Sequence, residues 1–273
     1  MDCVYINLTS RPDRRQAIED SFDRHRAAGW TLSRFEAVDT AQVAQANVQG
    51  AVSAAEKACF VSHRTLIRQH LPADGPLMVL EDDAMFGSRT CQVIETSLAR
   101  IPEDAWDIVF TDIALPDVGQ WPDLVRLRRQ FDQTGAFKLL GLGRLHFAGS
   151  TSYVLNRRSK RLLTQVLDEA TRIDAPYDIH LRSLVHQGRL KGFVLFPFVT
   201  TVSHLAEQTS IQASGGALLD AILNGFRRAM WADRDLDRAA ADLAPLREAC
   251  GSRETAVFGT LFEAMLSDQI PRK

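Results

Sequence analysis

Three consecutive acids, Glu81-Asp82-Asp83, follow directly on the apolar run Leu77–Leu80. A short apolar run after Gly75-Pro76 predicts a buried strand, so the acids stand at its end. Three adjacent carboxylates cannot all remain ionised there without positive charge beside them. Carboxylate oxygens suit hard cations such as Mg²⁺ or Mn²⁺, which bind protein carboxylates together with phosphate oxygens. This acid triplet therefore predicts a metal–phosphate site, with a solvated acidic turn as the alternative.

Further polar residues stand where other predicted strands end. Strands alternate with helices through residue 200, which predicts an α/β sandwich with a mostly parallel sheet. Ligands of such sheets bind beyond the carboxyl ends of the strands. We therefore expect Asn7, Asp39 and Asp112 to lie near the acid triplet. The strands predicted from the sequence are Val4–Leu8, Phe35–Asp39, Leu77–Leu80, Trp106–Asp112, Phe137–Leu142, Ser152–Leu155 and Phe193–Val202.

Capping residues and apolar stripes predict the helices between these strands. Ser10 is placed to cap a helix that begins near Pro12, and Ser53 with Glu56 forms a capping box for a helix that reaches about Leu71. Residues 113–136 are rich in polar residues and are expected to be irregular. Pro197 interrupts the last strand, which predicts an edge strand. The other predicted helices cover residues 91–100, 158–170 and 177–186.

The chain is helical in pattern from Ala217 onward, with two further helices predicted at 234–249 and 254–267. We expect a catalytic domain at 1–212 and a helical C-terminal annex at 213–273. The segment Phe226–Trp231 is interpreted as a helix that faces the core and has one solvent-exposed edge, and contact with a membrane is the alternative.

The composition limits the classes of protein to which this sequence can belong. The 273 residues carry a formal net charge of −2 and are 45% apolar, which supplies a core and does not favour nucleic acid as a partner. No apolar run approaches the ~20 residues of a membrane helix, and the N-terminus has no signal-peptide pattern. The four cysteines lack metal or redox spacing. We expect a cytoplasmic protein, with peripheral contact at the inner face of a membrane left open.

An ordered set of motifs resembles glycosyltransferase family 25, which includes lipopolysaccharide glycosyltransferases. The matches run over roughly residues 3–211, and they depart from the family pattern at Thr40, at Ala58 and at Thr111-Asp112. The blocks that carry the resemblance are Val4–Leu8 with Arg11–Arg15, Ala37–Asp39, Lys57–His63, Leu80–Asp83, Ser152–Leu155 with Ser159–Leu163, and Pro176–Asp178.

The resemblance implies a GT-A-like, Rossmann-type α/β/α fold and inverting transfer of a sugar from a nucleotide donor with Mn²⁺ or Mg²⁺. The donor expected is a UDP-sugar, with galactose the first guess, and the acceptor is a cell-envelope glycan or glycolipid. By similarity, Asp83 would touch the metal directly, while Glu81 and Asp82 would hold the ribose or a metal-bound water. Glu81 and His204 complete the candidate metal set, although a lone histidine is more often structural.

Inversion needs a general base that takes the proton of the acceptor hydroxyl. Asp178, at a predicted helix start, is the first choice, and the same position also suits an ordinary helix cap. Asp112 is the second candidate. Guanidinium groups of Arg11, Arg14 and Arg15 suit a diphosphate, or they form a solvated helix face. The candidate donor-binding residues are Asn7, Leu8, Arg11, Arg14, Asp39, Ser62, His63 and Asp82.

Two other functions stay open at this point. The segment Asp107–Asp117 resembles the phosphoacceptor strand of a receiver domain, with Asp112 as acceptor, but only about one helix fits between this strand and the acid triplet. A nucleotide-sugar-binding protein without turnover is the other alternative. The basic stretches Arg126–Arg129 and Arg157–Arg161 suit an anionic acceptor or lipid, and surface charge explains them equally well.

Overall fold

The computed structural model describes residues 1–207, 217–235 and 237–238. The strands are β1 (Asp2–Asn7), β2 (Thr31–Glu36), β3 (Leu77–Glu81), β4 (Ala84–Phe86), β5 (Ile108–Phe110), β6 (Lys138–Gly141), β7 (Ser152–Leu155), β8 (Gly192–Phe196) and β9 (Thr200–Val202). The helices are α1 (Pro12–His25), α2 (Thr40–Gln45), α3 (Ala54–Gln69), α4 (Thr90–Leu98), α5 (Trp121–Thr134), α6 (Ser159–Asp168), α7 (Tyr177–His186) and α8 (Ala217–Met230).

Seven strands form one sheet in the order β2-β1-β3-β7-β5-β8-β6. Five of them run in one direction, whereas β7 and β6 are antiparallel to their neighbours. The antiparallel β7 therefore brings its amino end to the edge of the sheet where β1, β3 and β5 end. A separate two-stranded ribbon pairs β4 with β9 and leaves the same edge.

Helices cover both faces of the sheet because its strands are apolar on both sides. On one face, Tyr5 and Met78 pack with Ile18 of α1 and Ile94 of α4. On the other face, alternate strand residues pack against α3, α6 and α7, and α5 and α8 extend this second core. The predicted α/β sandwich, with most strands running in one direction, is confirmed.

Several local predictions were wrong. The second strand is Thr31–Glu36 rather than Phe35–Asp39, and Asp39 instead caps α2. Arg11 rather than Ser10 occupies the cap position of α1. The stretch predicted as irregular contains α5. The predicted edge strand is divided into β8, which lies between β5 and β6 in the sheet, and β9 in the ribbon.

Helix α8 packs into the body of the described structure. Its Phe226 stacks on Trp121 of α5 with ring centroids 3.9 Å apart, and Met230 is buried. The segment Phe226–Trp231 is therefore core-facing, as the first interpretation predicted. The proposed boundary at 212/213 and most of the two later predicted helices lie outside the described residues. Among the residues that the structure describes, no helix is long and apolar enough to cross a membrane.

The basic stretches Arg126–Arg129 and Arg157–Arg161 each contain a buried side chain. Arg128 is buried, lies over the ring of Phe131 and donates to the carbonyl of Ala232, just after α8. Lys160 is also buried, and its ammonium donates to the carbonyl oxygens of His70 and Ala73, just beyond the end of α3. Both side chains therefore stabilise the fold, which leaves fewer charges in each stretch for an anionic partner.

Candidate active site

The central acid, Asp82, is held by two side chains from the amino-terminal β–α unit. Asn7, at the end of β1, donates from Nδ2 to Asp82 Oδ2 at 2.8 Å. Arg14, in the first turns of α1, donates from Nη1 to Asp82 Oδ1 at 3.0 Å. Arg34 donates in turn to Asn7 Oδ1 at 2.9 Å, so the amide orientation is fixed. Burial raises the pKa of Asp82, while Asn7 and Arg14 oppose that rise.

Asp83 has a different environment. Its Oδ2 lies 3.4 Å from Arg14 Nη1, and its buried Oδ1 has no hydrogen-bond partner among the residues that the structure describes. Burial and the charge of Glu81 raise the pKa of Asp83 to about 7 against the opposing charge of Arg14. A buried carboxylate in this state gains from a bound cation, because the positive charge replaces the lost solvation.

Glu81 stands at the end of β3 and points toward α3 and the segment before β7. Ser150 donates to Glu81 Oε1 at 2.6 Å, and His63 Nε2 lies 3.5 Å from the same oxygen. Burial raises the pKa of Glu81, but His63, Ser150 and Arg227 outweigh it, so the net pKa is lowered. Glu81 is thus ionised beside Asp83, and its charge adds to the effect of burial in raising the pKa of Asp83.

The segment Gly149–Ser152 connects the separate parts of the site. Ser150 binds Glu81, and the Gly149 amide donates to Asp178 Oδ2 at 2.7 Å. Gly149 has φ of +88°, a conformation that other residues adopt rarely. The sequence pattern predicted only a strand from Ser152, and the small polar run Gly-Ser-Thr-Ser at 149–152 is the signal that could have indicated this segment.

Arg227 of α8 reaches the site from the part of the chain predicted to be an annex. Its guanidinium donates through Nε and Nη2 to Asp112 Oδ2, the former at 2.9 Å, and Nη2 also donates to Thr151 Oγ1 at 2.7 Å. The side chains of Asp112 and Arg227 are 0% and 6% exposed. Periodicity could not reveal this residue, because Arg227 lies beside the apolar stripe of α8 rather than in it.

The two candidate bases have different surroundings. Asp178 is half-buried, in the first turn of α7, and the Gly149 amide orients its carboxylate. Asp112 is enclosed and ion-paired with Arg227, so its position favours Asp178, the first choice of base. Burial, then the charges of Glu81, Asp178 and Asp83, raise the pKa of the Cys59 thiol well above its usual value. All three carboxylates therefore lie close enough to Cys59 to disfavour its thiolate.

Other residues predicted to bind the donor have structural partners. Ser62, 1% exposed, accepts from the Val38 amide at 2.9 Å and donates to the Ala58 carbonyl at 2.8 Å. Asp39 is exposed and is the cap of α2. The Leu8 carbonyl accepts from the Arg11 amide at 2.9 Å.

The predicted arginines differ among themselves. Arg14 reaches the acid triplet, and it also donates to the Leu205 carbonyl at 2.8 Å. Arg11 pairs with Asp13, and Arg15, half-exposed, pairs with Glu19. The geometry therefore places Arg14 at the centre of the site, and Arg15 belongs to the solvated helix face.

His204 enters the neighbourhood of the acids through the ribbon. The Ser203 amide donates to the Asp83 carbonyl at 2.7 Å, and this contact fixes the chain just before His204. The His204 Nε2 atom accepts from Arg238 Nε at 3.0 Å. Within the described ranges, a compact set of three metal-ligating atoms joins Glu81 to Cys59 and His63 rather than to Asp83 and His204.

Comparison with known proteins adds to this geometry. Residues 1–180, about two-thirds of the chain, match the sequence model of glycosyltransferase family 25, described as LPS biosynthesis proteins. The chain belongs to glycosyltransferase family 25. The family and the enzyme class predicted from the motifs are thereby confirmed.

A curated relative is the lacto-N-neotetraose biosynthesis glycosyltransferase LgtB of Neisseria meningitidis serogroup B. It is 34% identical over 111 residues, which cover 37% of this chain and 37% of LgtB. The match thus covers well under half the length of LgtB.

Two solved glycosyltransferases show distant similarity. GlyE of Streptococcus pneumoniae TIGR4, in its apo form, has a TM-score of 0.40 and 8% identity, over 70% of this chain and 44% of GlyE. The galactosyltransferase LgtC, solved with donor and acceptor sugar analogs, has a TM-score of 0.38 and 12% identity, over 82% of this chain and 95% of LgtC. The α/β fold class of the family 25 chain follows from its own sheet and helices.

Proposed function

We propose that this family 25 chain transfers a sugar, with galactose as first candidate, from a UDP-sugar to a cell-envelope glycan or another glycoconjugate. The observation that carries the proposal is the Asp83 carboxylate, whose buried Oδ1 has no hydrogen-bond partner in the described part of the chain and whose pKa is raised to about 7. Membership of a glycosyltransferase family supports sugar transfer as the reaction that uses this group.

Mn²⁺ or Mg²⁺ suits this corner because both prefer carboxylate oxygens. Asp83 would hold the ion, with Glu81 beside it, and His204 stays the third candidate ligand. When bound, the cation would neutralise charge that develops on the departing diphosphate. Arg14 contacts both Asp82 and Asp83, so it keeps these carboxylates in a fixed relation, and Asp82 is proposed to hold the ribose.

The acceptor hydroxyl requires a base on the opposite side of the sugar from the leaving group if the reaction inverts. We assign this role to Asp178, which the Gly149 amide orients. The hydroxyl oxygen bonds to the anomeric carbon while the bond from that carbon to the diphosphate oxygen breaks. The bonding electron pair leaves with UDP, and the hydroxyl proton passes to the Asp178 carboxylate.

A screen of UDP-sugars tests the proposal, with UDP release measured in Mn²⁺ and then with a chelator. We expect release from at least one donor, its loss with the chelator, and its loss in Asp83→Asn. Asp123→Asn is the matched control, because the side chain of Asp123 is 75% exposed on α5. NMR of the product anomer tests inversion.

A binding protein without turnover would give a different result from an active transferase in this screen. It predicts Mn²⁺-dependent UDP binding by calorimetry with neither UDP release nor transfer. The receiver-domain alternative is not supported, since its phosphoacceptor, Asp112, is buried and paired with Arg227.

A further inference from the structure

Three ligand atoms of different chemistry meet where α3 faces the end of β3. They are Sγ of Cys59, a ring nitrogen of His63 and a carboxylate oxygen of Glu81, and all lie within 4.8 Å of one another. Cys59 and His63 are four positions apart on one helix, so they project from the same face. This arrangement was not predicted from the spacing of the cysteines, because Glu81 joins it only through the fold.

Of the three residues, His63 gives the clearest evidence for a bound ligand. The side chain is 0% exposed, and its Nε2 has no hydrogen-bond partner in the described structure although it faces Glu81 Oε1 at 3.5 Å. The other ring nitrogen, Nδ1, pairs with the Tyr153 hydroxyl at 2.9 Å, and the ring stacks on Tyr177. The imidazole is thus fixed in orientation, with one buried nitrogen directed at the other two ligand atoms.

The spacing of these atoms fits a tetrahedral ion. Zinc binds cysteine sulfur at ~2.3 Å and histidine nitrogen or carboxylate oxygen at ~2.0–2.2 Å, so two of its N and O ligands lie ~3.4 Å apart. The observed distance from His63 Nε2 to Glu81 Oε1 is 3.5 Å. The sulfur of Cys59 lies within 4.8 Å of both of these atoms.

The types of ligand separate this set from the acid triplet. Mg²⁺ and Mn²⁺ prefer oxygen alone, whereas thiolate with imidazole selects a softer ion. We propose that Cys59, His63 and Glu81 form a binding site for a divalent cation of the zinc class, with a fourth coordination position open. The Tyr153 hydroxyl then accepts from Nδ1–H of His63, which leaves Nε2 free to bind the metal.

The site goes beyond the proposed function, and it shares one residue with it. Glu81 belongs both to the acid triplet and to the zinc-class site, so the two proposals share one ligand. Binding of Zn²⁺ is therefore measurable without a sugar nucleotide, and its failure would leave the role of Asp83 untouched.

Cobalt titration of the full, metal-free, reduced chain tests the proposal. Wild type should develop thiolate-to-cobalt charge-transfer absorption and the intense visible bands of a tetrahedral site, and Zn²⁺ should displace them. Cys59→Ser should abolish the charge-transfer band. Cys91→Ser, which removes a buried thiol packed near His25, should retain it. Absence of the band in wild type, or its persistence in Cys59→Ser, overturns the proposal.

Two measurements keep the test independent of how well Cys59→Ser folds. Tyr153→Phe removes the partner of His63 Nδ1, so the Zn²⁺ affinity should fall ~10–100-fold while the charge-transfer band remains. X-ray absorption of Zn²⁺ bound to wild type should show one sulfur neighbour. An unchanged affinity in Tyr153→Phe, or a zinc shell without sulfur, contradicts the assigned ligands.

Discussion

Arg227 of α8 donates two hydrogen bonds to Asp112, 115 positions earlier in the chain and just beyond the end of β5. The pair is fully enclosed, and Arg227 also binds Thr151 in the segment that presents Ser150 to Glu81. Helix α8 is therefore part of the wall of the candidate active site. Burial raises the pKa values of Glu81 and Asp83, and the charge of Arg227 opposes that rise in both residues.

Replacing Arg227 should destabilise the protein strongly. Arg227→Met leaves a buried carboxylate without its partner, and we expect a loss of ~3–5 kcal/mol in the free energy of unfolding by urea denaturation. Asp112→Leu in the same chain should restore most of that loss, because an apolar pair requires no compensating charge. Arg126→Met, at a position 70% exposed, is the control. A loss below ~1 kcal/mol in Arg227→Met would show that the pair contributes little.

Asp83→Asn should stabilise the metal-free protein at high pH. Because the folded-state pKa is raised from the usual 3.8 to about 7, the folded protein resists ionisation of Asp83, and its stability falls as pH rises between these values. Asparagine removes that penalty. In a chelator, the stability of Asp83→Asn relative to wild type should increase by ~2 kcal/mol between pH 5 and pH 8. A difference between the two proteins that does not depend on pH would contradict the shift.

Asp178→Asn should reduce catalysis without reducing donor binding. Loss of a general base typically costs ~10²–10⁴-fold in rate, so kcat should fall in that range. The UDP affinity should stay within about twofold, since the amide retains the shape of the carboxylate. Calorimetry with UDP and initial rates of transfer separate the two quantities. A kcat within tenfold of wild type would exclude Asp178 as the base.

Ser62→Ala tests whether this residue binds the donor or supports the fold. Its hydroxyl is occupied by Val38 and Ala58, so substitution should cost ~1–3 kcal/mol of stability and leave the UDP affinity unchanged. Thermal denaturation and calorimetry provide the two measurements. A large drop in UDP affinity at full stability would instead restore the role that the resemblance implied.

Much of the fold could be predicted because local signals and burial agree. The apolar run Leu77–Leu80 is a fully buried strand, and the Ser53–Glu56 capping box begins α3 as expected. Helix α5 was missed because Arg128 occupies its buried stripe between Val125 and Phe131 and interrupts the apolar period. The cationic side chain packs on an aromatic ring there, which a pattern of apolar residues cannot reveal.

The candidate site was predictable where residues adjoin strand ends and not where distant segments meet. Asn7 and the acid triplet were found because parallel strands end at one edge. Arg227 and Ser150 were missed, since each acquires its role through a contact with a residue at least 69 positions away. His63 was found by resemblance, but its proximity to Cys59 and Glu81 required the packing of α3 on the sheet.

The central claim is that Asp83 holds a divalent cation that in turn holds the diphosphate of the donor. Calorimetry with UDP, in Mn²⁺ and in chelator, on wild type, Asp83→Asn and the control Asp123→Asn tests it most directly. We expect Mn²⁺ to tighten UDP binding in wild type and in Asp123→Asn, and this gain to fall by about 100-fold in Asp83→Asn. Equal Mn²⁺-dependent affinity in Asp83→Asn and wild type would contradict the claim.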